Sequence, residues 1–274
     1  MVRVLPLPVG LGSLLPSWVS AASLAAGSAR PVLVASDAHL GGAPPEQERA
    51  FLRWLEHAGD SASWIILNGD LFDFWFEYAR GTTRGHDGVL ASLRGIVDAG
   101  VPITLMGGNH DWWGGPYLRH EVGVEFLQEP VVRDVAGRRT LLAHGDGLGR
   151  GDFGYRLLQT ALRSRATRWM FGRLPPAVGD RMAKAVSRTG HKWDVYTEGH
   201  LARSAALEAW AMDRLRAEPE LELVLLGHTH VPLLKRAGPT QWYANSGDWV
   251  MHRSYLRLAR GCDPVLAHWD GGSP

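Results

Sequence analysis

Five short motifs gather residues able to hold metal ions: Asp37-Ala-His39, Gly69-Asp70, Gly107-Gly-Asn-His-Asp111, His144-Gly-Asp146 and Gly227-His-Thr-His230. Their side chains are carboxylates, an amide and imidazoles, all hard or borderline ligands. Two divalent cations a few ångströms apart need roughly ten to twelve coordination positions, and this donor mixture suits Mn, Fe, Zn or Ni better than Ca or Mg. Asp70 is the natural bridging group, because each of its two oxygens can bind one metal and no histidine can do that. Singly the motifs are weak, since Asp-x-His is common turn chemistry and His-x-His arises on surfaces by coincidence. Jointly they are strong, with Gly at or beside most of them where the backbone must turn sharply.

The elements around the motifs explain how they could meet. From Pro31 onward, short apolar runs end in polar, Gly-rich turns and alternate with helical patterns, which is the α/β signature. Residues 32–35, 64–67, 101–106, 140–143 and 221–226 read as strands, and each runs straight into one of the five motifs. Phe51, Trp54, Leu55 and Ala58 recur at helical spacing, as do Val89, Leu90, Leu93, Ile96 and Val97. Ligands of α/β sheets collect beyond the carboxyl ends of the strands, so loops distant in sequence converge there. The segment Asn245-Ser-Gly-Asp-Trp249 follows a further short strand and could close the site from the far side, or be an ordinary tight turn.

In this order the motifs resemble the calcineurin-like metallophosphoesterase superfamily, over residues 31 to about 269. The resemblance implies a four-layer α/β/β/α sandwich with an inserted helical cap, and two divalent metal ions, Mn²⁺ first among them. Carried over, Asp37, His39, Asp70 and His230 hold one ion, and Asp70, Asn109, His144 and His228 the other. No amino-acid nucleophile is implied, because the metal pair supplies the attacking hydroxide. His110 is implied as a donor beside the metals, oriented by Asp111, so that His110, Asp111 and Asp70 form the catalytic set. Within the superfamily the chain is most similar to the UDP-2,3-diacylglucosamine hydrolases of lipid A synthesis, through Ser36-Asp-Ala-His-Leu-Gly41, Gly69-Asp-Leu-Phe-Asp-Phe-Trp75, Gly227-His-Thr-His-Val-Pro232 and a basic helical insertion. Those enzymes cleave a pyrophosphate, releasing UMP and a diacylated sugar phosphate, with the insertion as a lid above the acyl chains. Asn109, Tyr155, Arg188, Lys192 and His228 are the implied substrate contacts. One departure stands out: members with demonstrated lipid A activity usually carry Arg where this chain has His110, and the wider superfamily carries His. That keeps open a phosphodiester or phosphomonoester substrate and, more remotely, a non-catalytic scaffold.

The expected domain plan is a core of residues 31–150 and 221–270, a helical insertion at 151–220, and a flexible apolar arm at 1–30, which a secretory signal or a misassigned start would equally explain. Between Gly151 and Lys192 lie Arg156, Arg163, Arg165, Arg168, Arg173, Arg181, Lys184, Arg188 and Lys192 against only Asp152 and Asp180. Leu158, Leu162, Trp169, Met170 and Phe171 are interleaved with them, giving an apolar face with a cationic rim suited to a greasy, phosphorylated substrate. Over the whole chain the charges nearly cancel, 29 Lys+Arg against 28 Asp+Glu for a formal +1, so no nucleic-acid partner is expected. A single cysteine, Cys262, excludes an intramolecular disulfide and Cys-based zinc sites and fits a reducing compartment. The expected setting is the cytoplasm, peripheral to the anionic inner membrane, with a nucleotide-sugar lipid as substrate and no obligate protein partner. Trp75 is a candidate for lining the substrate cleft and His191 a candidate phosphate contact, while the remaining histidines, His252 included, carry no expected role.

Overall fold

The structure is a computed structural model, and it describes residues 28–149, 153–187 and 198–271. Arg188, His191 and Lys192, with most of the N-terminal arm, lie outside the described residues, and Tyr155 falls where side chains are not described. Strands β1 (Val32–Ala35), β2 (Trp64–Asn68), β5 (Ile103–Met106) and β6 (Glu125–Leu127) run parallel in one sheet. Antiparallel β12 (Ser254–Leu258) and β13 (Val265–His268) extend it, giving the order β13-β12-β1-β2-β5-β6. The second sheet has the order β10-β11-β9-β8-β7, with β10 (Leu233–Arg236), β11 (Trp242–Asn245), β9 (Leu223–Leu226), β8 (Arg138–Leu142) and β7 (Val131–Val135). A short hairpin of β3 (Glu77–Tyr78) and β4 (Gly81–Thr82) stands apart from both.

Strand alternation sets the layers. In β1 and β2, Val32, Val34, Trp64 and Ile66 point to the second sheet, where Leu142, Leu223, Leu225 and Ala244 meet them. The intervening Leu33, Ala35, Ile65 and Leu67 point the other way, onto Phe51, Trp54 and Leu55 of α1 (Pro45–Ser61) and Leu93 of α2 (Asp87–Asp98). Both faces are buried, which is why these strands read as unbroken apolar runs. On the outer face of the second sheet, Val224, Leu226 and Tyr243 pack against Leu207, Ala211 and Leu215 of α6 (Glu198–Ala217). The result is the four-layer α/β/β/α sandwich.

The last contact corrects the expected domain plan. Residues 198–217 fall in the expected insertion, where the strand signal is lost, yet α6 is the fourth layer of the core, with Leu207, Ala211 and Leu215 at most 1% exposed. The helices of the insertion that lie outside the four layers, expected as a lid, are α3 (Phe153–Leu162), α4 (Arg165–Gly172) and α5 (Pro176–Ser187). Ser164 caps α4 by accepting a hydrogen bond from Thr167 N at 3.2 Å, and Pro176 opens α5 at the first helical position, where its missing N–H has no cost. The lid is seated on the β3–β4 hairpin: Ala79 N donates to Gly172 O at 2.8 Å, Tyr78 OH donates to Asp180 at 3.0 Å, and Phe171 packs on Phe76 with ring centroids 5.0 Å apart.

Candidate metal centre

The carboxyl ends of the strands are level. Ala35 pairs with Leu67, Leu67 with Leu105 and Asn68 with Met106 in one sheet, while Leu142 pairs with Leu225 and Asn245 with Leu226 in the other. The five motif loops therefore leave one edge of the sandwich together. Their backbones are then bonded to one another: Asp37 N to Gly69 O at 3.0 Å, His39 N to Asp70 O at 3.0 Å, Gly227 N to His144 O at 2.7 Å, and Trp249 N to Asp37 O at 3.2 Å. Such cross-links fix the donor positions before any ligand arrives.

Three groups of ligand atoms result, each within a 4.8 Å span: Asp37, His39 and His230; His39, Asp70 and His110; and Asp70, His144 and His228. Asp70 lies at the centre. Its Oδ2 is 3.2 Å from His144 Nε2 and 3.9 Å from His39 Nε2, whereas Oδ1 accepts the His110 backbone N–H at 2.8 Å. Oδ2 is thus the oxygen that faces the imidazoles of both neighbouring groups, while Oδ1 takes a backbone N–H from the adjacent loop. Buried oxygens Asp37 Oδ1 and Asn109 Oδ1 accept no hydrogen bond among the described residues, an arrangement that native interiors avoid unless a cation or water supplies the partner. The residues present therefore fit a pair of divalent ions.

Backbone strain marks the same positions. Asp37, His39, Asp70, His228 and His230 all have positive φ, between 45° and 69°, and among the described non-glycine residues only Ala136 and Arg253 share that region. Each such residue costs on the order of 1–3 kcal/mol and persists only where its surroundings over-determine it. Close approach adds a second constraint, since a Cβ at Gly108 would lie 2.2 Å from Asp70 Oδ1, and one at Gly69 would lie 2.1 Å from His144 Nδ1. Neither site can hold a side chain.

Charge follows from the packing. Burial acts to raise the Asp70 carboxyl, but His144, His110 and His39 around it outweigh that and hold it well below the usual carboxylate range. For His144 burial acts downward and is overcome by Asp70, leaving the imidazole well above its ordinary value. Burial dominates at His39 and His228 and, with neighbouring imidazoles, pushes both well down, toward the neutral form that ligates metal.

Several expected roles change. His110 is not oriented by Asp111: its Nδ1 meets Asp73 O at 2.7 Å, and Asp73 Oδ1 lies 3.8 Å away. Asp111, fully buried, instead accepts N–H bonds from Gly108 at 2.7 Å, Leu71 at 2.8 Å, and Asp70 and Phe72 at 3.3 Å, clamping two motif loops together. Burial, with the Asp70 charge beside it, pushes its carboxyl up to about 7. Trp75 lines no cleft, being fully buried and stacked on Phe72 at 4.7 Å. His252, assigned no role, faces Asp248 Oδ1 at 3.4 Å, and Asp248 Oδ2 faces His230 Nδ1 at 3.3 Å. Asp248 sits in the Asn245–Trp249 segment, which does close the site: Asn245 Nδ2 donates to Gly227 O at 2.8 Å and Thr229 Oγ1 at 3.1 Å. A further orienting contact is the Asn68 carbonyl, which accepts from His144 Nδ1 at 2.9 Å. Nothing in the spacing of Asp73 or Asn68 distinguishes them from turn residues.

Beside the centre, under the lid, is a cavity of about 390 Å³ bordered by Asn109, His110 and Asp73 and walled by Phe74, Phe76, Trp113, Leu162, Phe171 and Met182. Arg163, just past the end of α3, reaches Asp146 at 2.7 Å and lies over the Trp112 ring at 4.7 Å, so a cation of the insertion is tied to the His144-Gly-Asp146 loop. Among the described residues no helix is long and apolar enough to cross a membrane.

The calcineurin-like phosphoesterase family profile matches residues 30–232. A protein of Porphyromonas gingivalis named UDP-2,3-diacylglucosamine hydrolase is 29% identical over 259 residues, 86% of this chain and 92% of that one. Proteins of the same name from Bordetella pertussis and Pseudomonas aeruginosa are 30% identical over 74% of this chain and 78% of theirs, and 31% identical over 73% of this chain and 82% of theirs. The matched stretch contains every strand end that delivers a candidate ligand. The chain belongs to the calcineurin-like phosphoesterase family and is a hydrolase.

Proposed function

We propose that the protein is a dinuclear metal-dependent hydrolase that splits the pyrophosphate bond of UDP-2,3-diacylglucosamine into UMP and 2,3-diacylglucosamine 1-phosphate. The observation that carries this reading is an apolar cavity of about 390 Å³ opening onto Asn109 and His110, at the edge of the ligand cluster. A substrate with a charged diphosphate and greasy tails needs that juxtaposition, and the names of the relatives point the same way.

Asp37, His39, Asp70 and His230 would hold one ion, and Asp70, Asn109, His144 and His228 the other. Mn²⁺ is the first candidate, with Fe, Zn or Ni suited to the same donors. When bound, the pair would supply Lewis acidity toward phosphate oxygens and a hydroxide at neutral pH for in-line attack on phosphorus. His110 donates from Nδ1 to the Asp73 carbonyl, which leaves Nε2 to meet a phosphoryl or leaving-group oxygen. Asp111 holds the Gly108 and Leu71 backbones so that His110 and Asp70 keep their spacing. Phe74, Phe171 and Met182 exclude water and take the acyl chains, and Tyr155, Arg188 and Lys192 remain candidate contacts to the headgroup. Purified protein with Mn²⁺ should release UMP from the diacylated sugar nucleotide, and no release at any metal loading would refute the assignment.

His110 favours a second reading, since the lipid A enzymes usually carry Arg there. On it the chain hydrolyses simpler phosphodiesters or phosphomonoesters. Turnover of a nitrophenyl phosphodiester without UMP release would select it.

The lid also suits a membrane surface. Leu157, Leu158, Trp169, Met170, Val178 and Met182 are 44% to 65% exposed beside Arg156, Arg165, Arg168 and Arg173. Such helices rest at an anionic bilayer, here the cytoplasmic face where a diacylated substrate would be found. Co-sedimentation with anionic vesicles at low salt and weaker association at high salt are expected; absence of binding in both conditions would remove the membrane from the proposal.

A further inference from the structure

The carboxylate of Asp248 is fully buried behind His230, in a segment 18 residues further along the chain. Its two oxygens do different jobs. Oδ1 accepts the backbone N–H groups of Met251 at 2.7 Å and His252 at 3.0 Å and faces His252 Nδ1 at 3.4 Å. Oδ2 is thereby directed at His230 Nδ1, 3.3 Å away, while the other ring nitrogen, Nε2, lies 3.6 Å from Asp37 Oδ1 in the metal-facing cluster. The comparable ring nitrogen of His144 meets only a neutral acceptor, the Asn68 carbonyl.

We propose that Asp248, braced by His252, is a positioning residue that fixes His230 in the tautomer with Nδ1 protonated and makes it a stronger, oriented ligand for the ion held with Asp37 and His39. The assignment rests on the dinuclear reading above and adds to it an asymmetry between the two ion sites. An imidazole whose distal N–H is given to a carboxylate is the more basic ligand, and loss of such a partner typically lowers metal affinity about 10–100-fold. The effect belongs to one site. The other site would be held by Asn109, His144 and His228, and there the distal ring nitrogen of His144 is backed by the Asn68 carbonyl.

The substitution that isolates this role is Asp248→Asn. Two backbone N–H groups hold the amide oxygen at the Oδ1 position, so the amide nitrogen must face His230 Nδ1, donor against donor, and the turn itself is preserved. Calorimetric titration of the metal-free full chain with Mn²⁺ is expected to give two binding steps in the wild type, with only one of them weakened about 10–100-fold in Asp248→Asn. Ring-nitrogen chemical shifts of His230 in the metal-free protein should move from the Nδ1–H to the Nε2–H pattern, a signature that general loosening of the loop would not produce. His252→Gln should weaken the same step by a few-fold. Two unchanged steps together with an unchanged tautomer in a folded Asp248→Asn protein would overturn the proposal, as would equal weakening of both steps. Wild-type protein that takes up no Mn²⁺ would instead refute the metal centre on which it stands.

Discussion

In the cradle, Asp37, Asp70, Asp111, His39 and Asp248 are at most 1% exposed, five ligand positions carry positive φ, and neighbouring loops share backbone hydrogen bonds. In the lid, Leu157, Trp169 and Met170 are 61% to 65% exposed, and α4 has no buried residue at all. Polar groups are inside and apolar groups outside, the reverse of the usual partition. The difference teaches where this molecule needs precision. Phosphoryl chemistry depends on donors held to a fraction of an ångström, so Asp70 and Asp248 are kept ionised by the imidazoles around them and strain is tolerated. On the proposed function, recognition of a flexible acyl chain would need area and adaptable side chains, and the exposed apolar surface of the insertion offers both.

The sharpest way to break this contrast is Asp70→Asn. If the cradle works as a unit, steady-state hydrolysis should fall by at least about 10³-fold, corresponding to several kcal/mol of lost charge stabilisation, and metal content should drop below two ions per chain. His110→Gln should lower kcat by about 10²–10⁴-fold with KM changed little, because the residue acts on the reacting oxygens and binds no tail. A matched pair then sets the two regions side by side. Gly108→Ala, whose Cβ would lie 2.2 Å from Asp70 Oδ1, should cost about 1–3 kcal/mol in denaturant unfolding, and Trp169→Ser should stay within about 0.5 kcal/mol. Similar losses from both would erase the distinction. Phe171→Ala is the mildest probe: it should raise KM for the diacylated substrate by about tenfold, through lost apolar contact, while leaving turnover of a nitrophenyl phosphodiester in place.

The legible part of the site was its inventory. Apolar runs such as Val32-Leu33-Val34-Ala35 announce buried strands through local composition, and the motif after each strand needs only the rule that ligands gather at carboxyl ends. Edge strands were less legible. β10 (LLKR) ends in exposed charges that protect a sheet edge, and β7 (VVRDV) puts Arg133 on the same face as Val131 and Val135, paired with Glu125 at 2.7 Å, which hides the period-two pattern. Helix α6 was misplaced for a related reason: it buries only Ser204, Leu207, Ala211 and Leu215 along its twenty residues, so little in its sequence separates a core layer from a solvated insertion.

What the sequence determined by itself was which ligands exist and at which strand ends they emerge, because both depend on side-chain type and on patterns a few residues long. Only tertiary structure decided which oxygen of Asp70 faces the cluster, that Asp111 clamps loops while the Asp73 carbonyl holds His110, and that Asp248 backs His230. Each of those contacts joins segments on different loops, such as Asp111 with Leu71, 40 positions away. Orientation at that level follows from strand register and loop packing, and a hydrogen bond between loops leaves no periodic trace in the order of the residues.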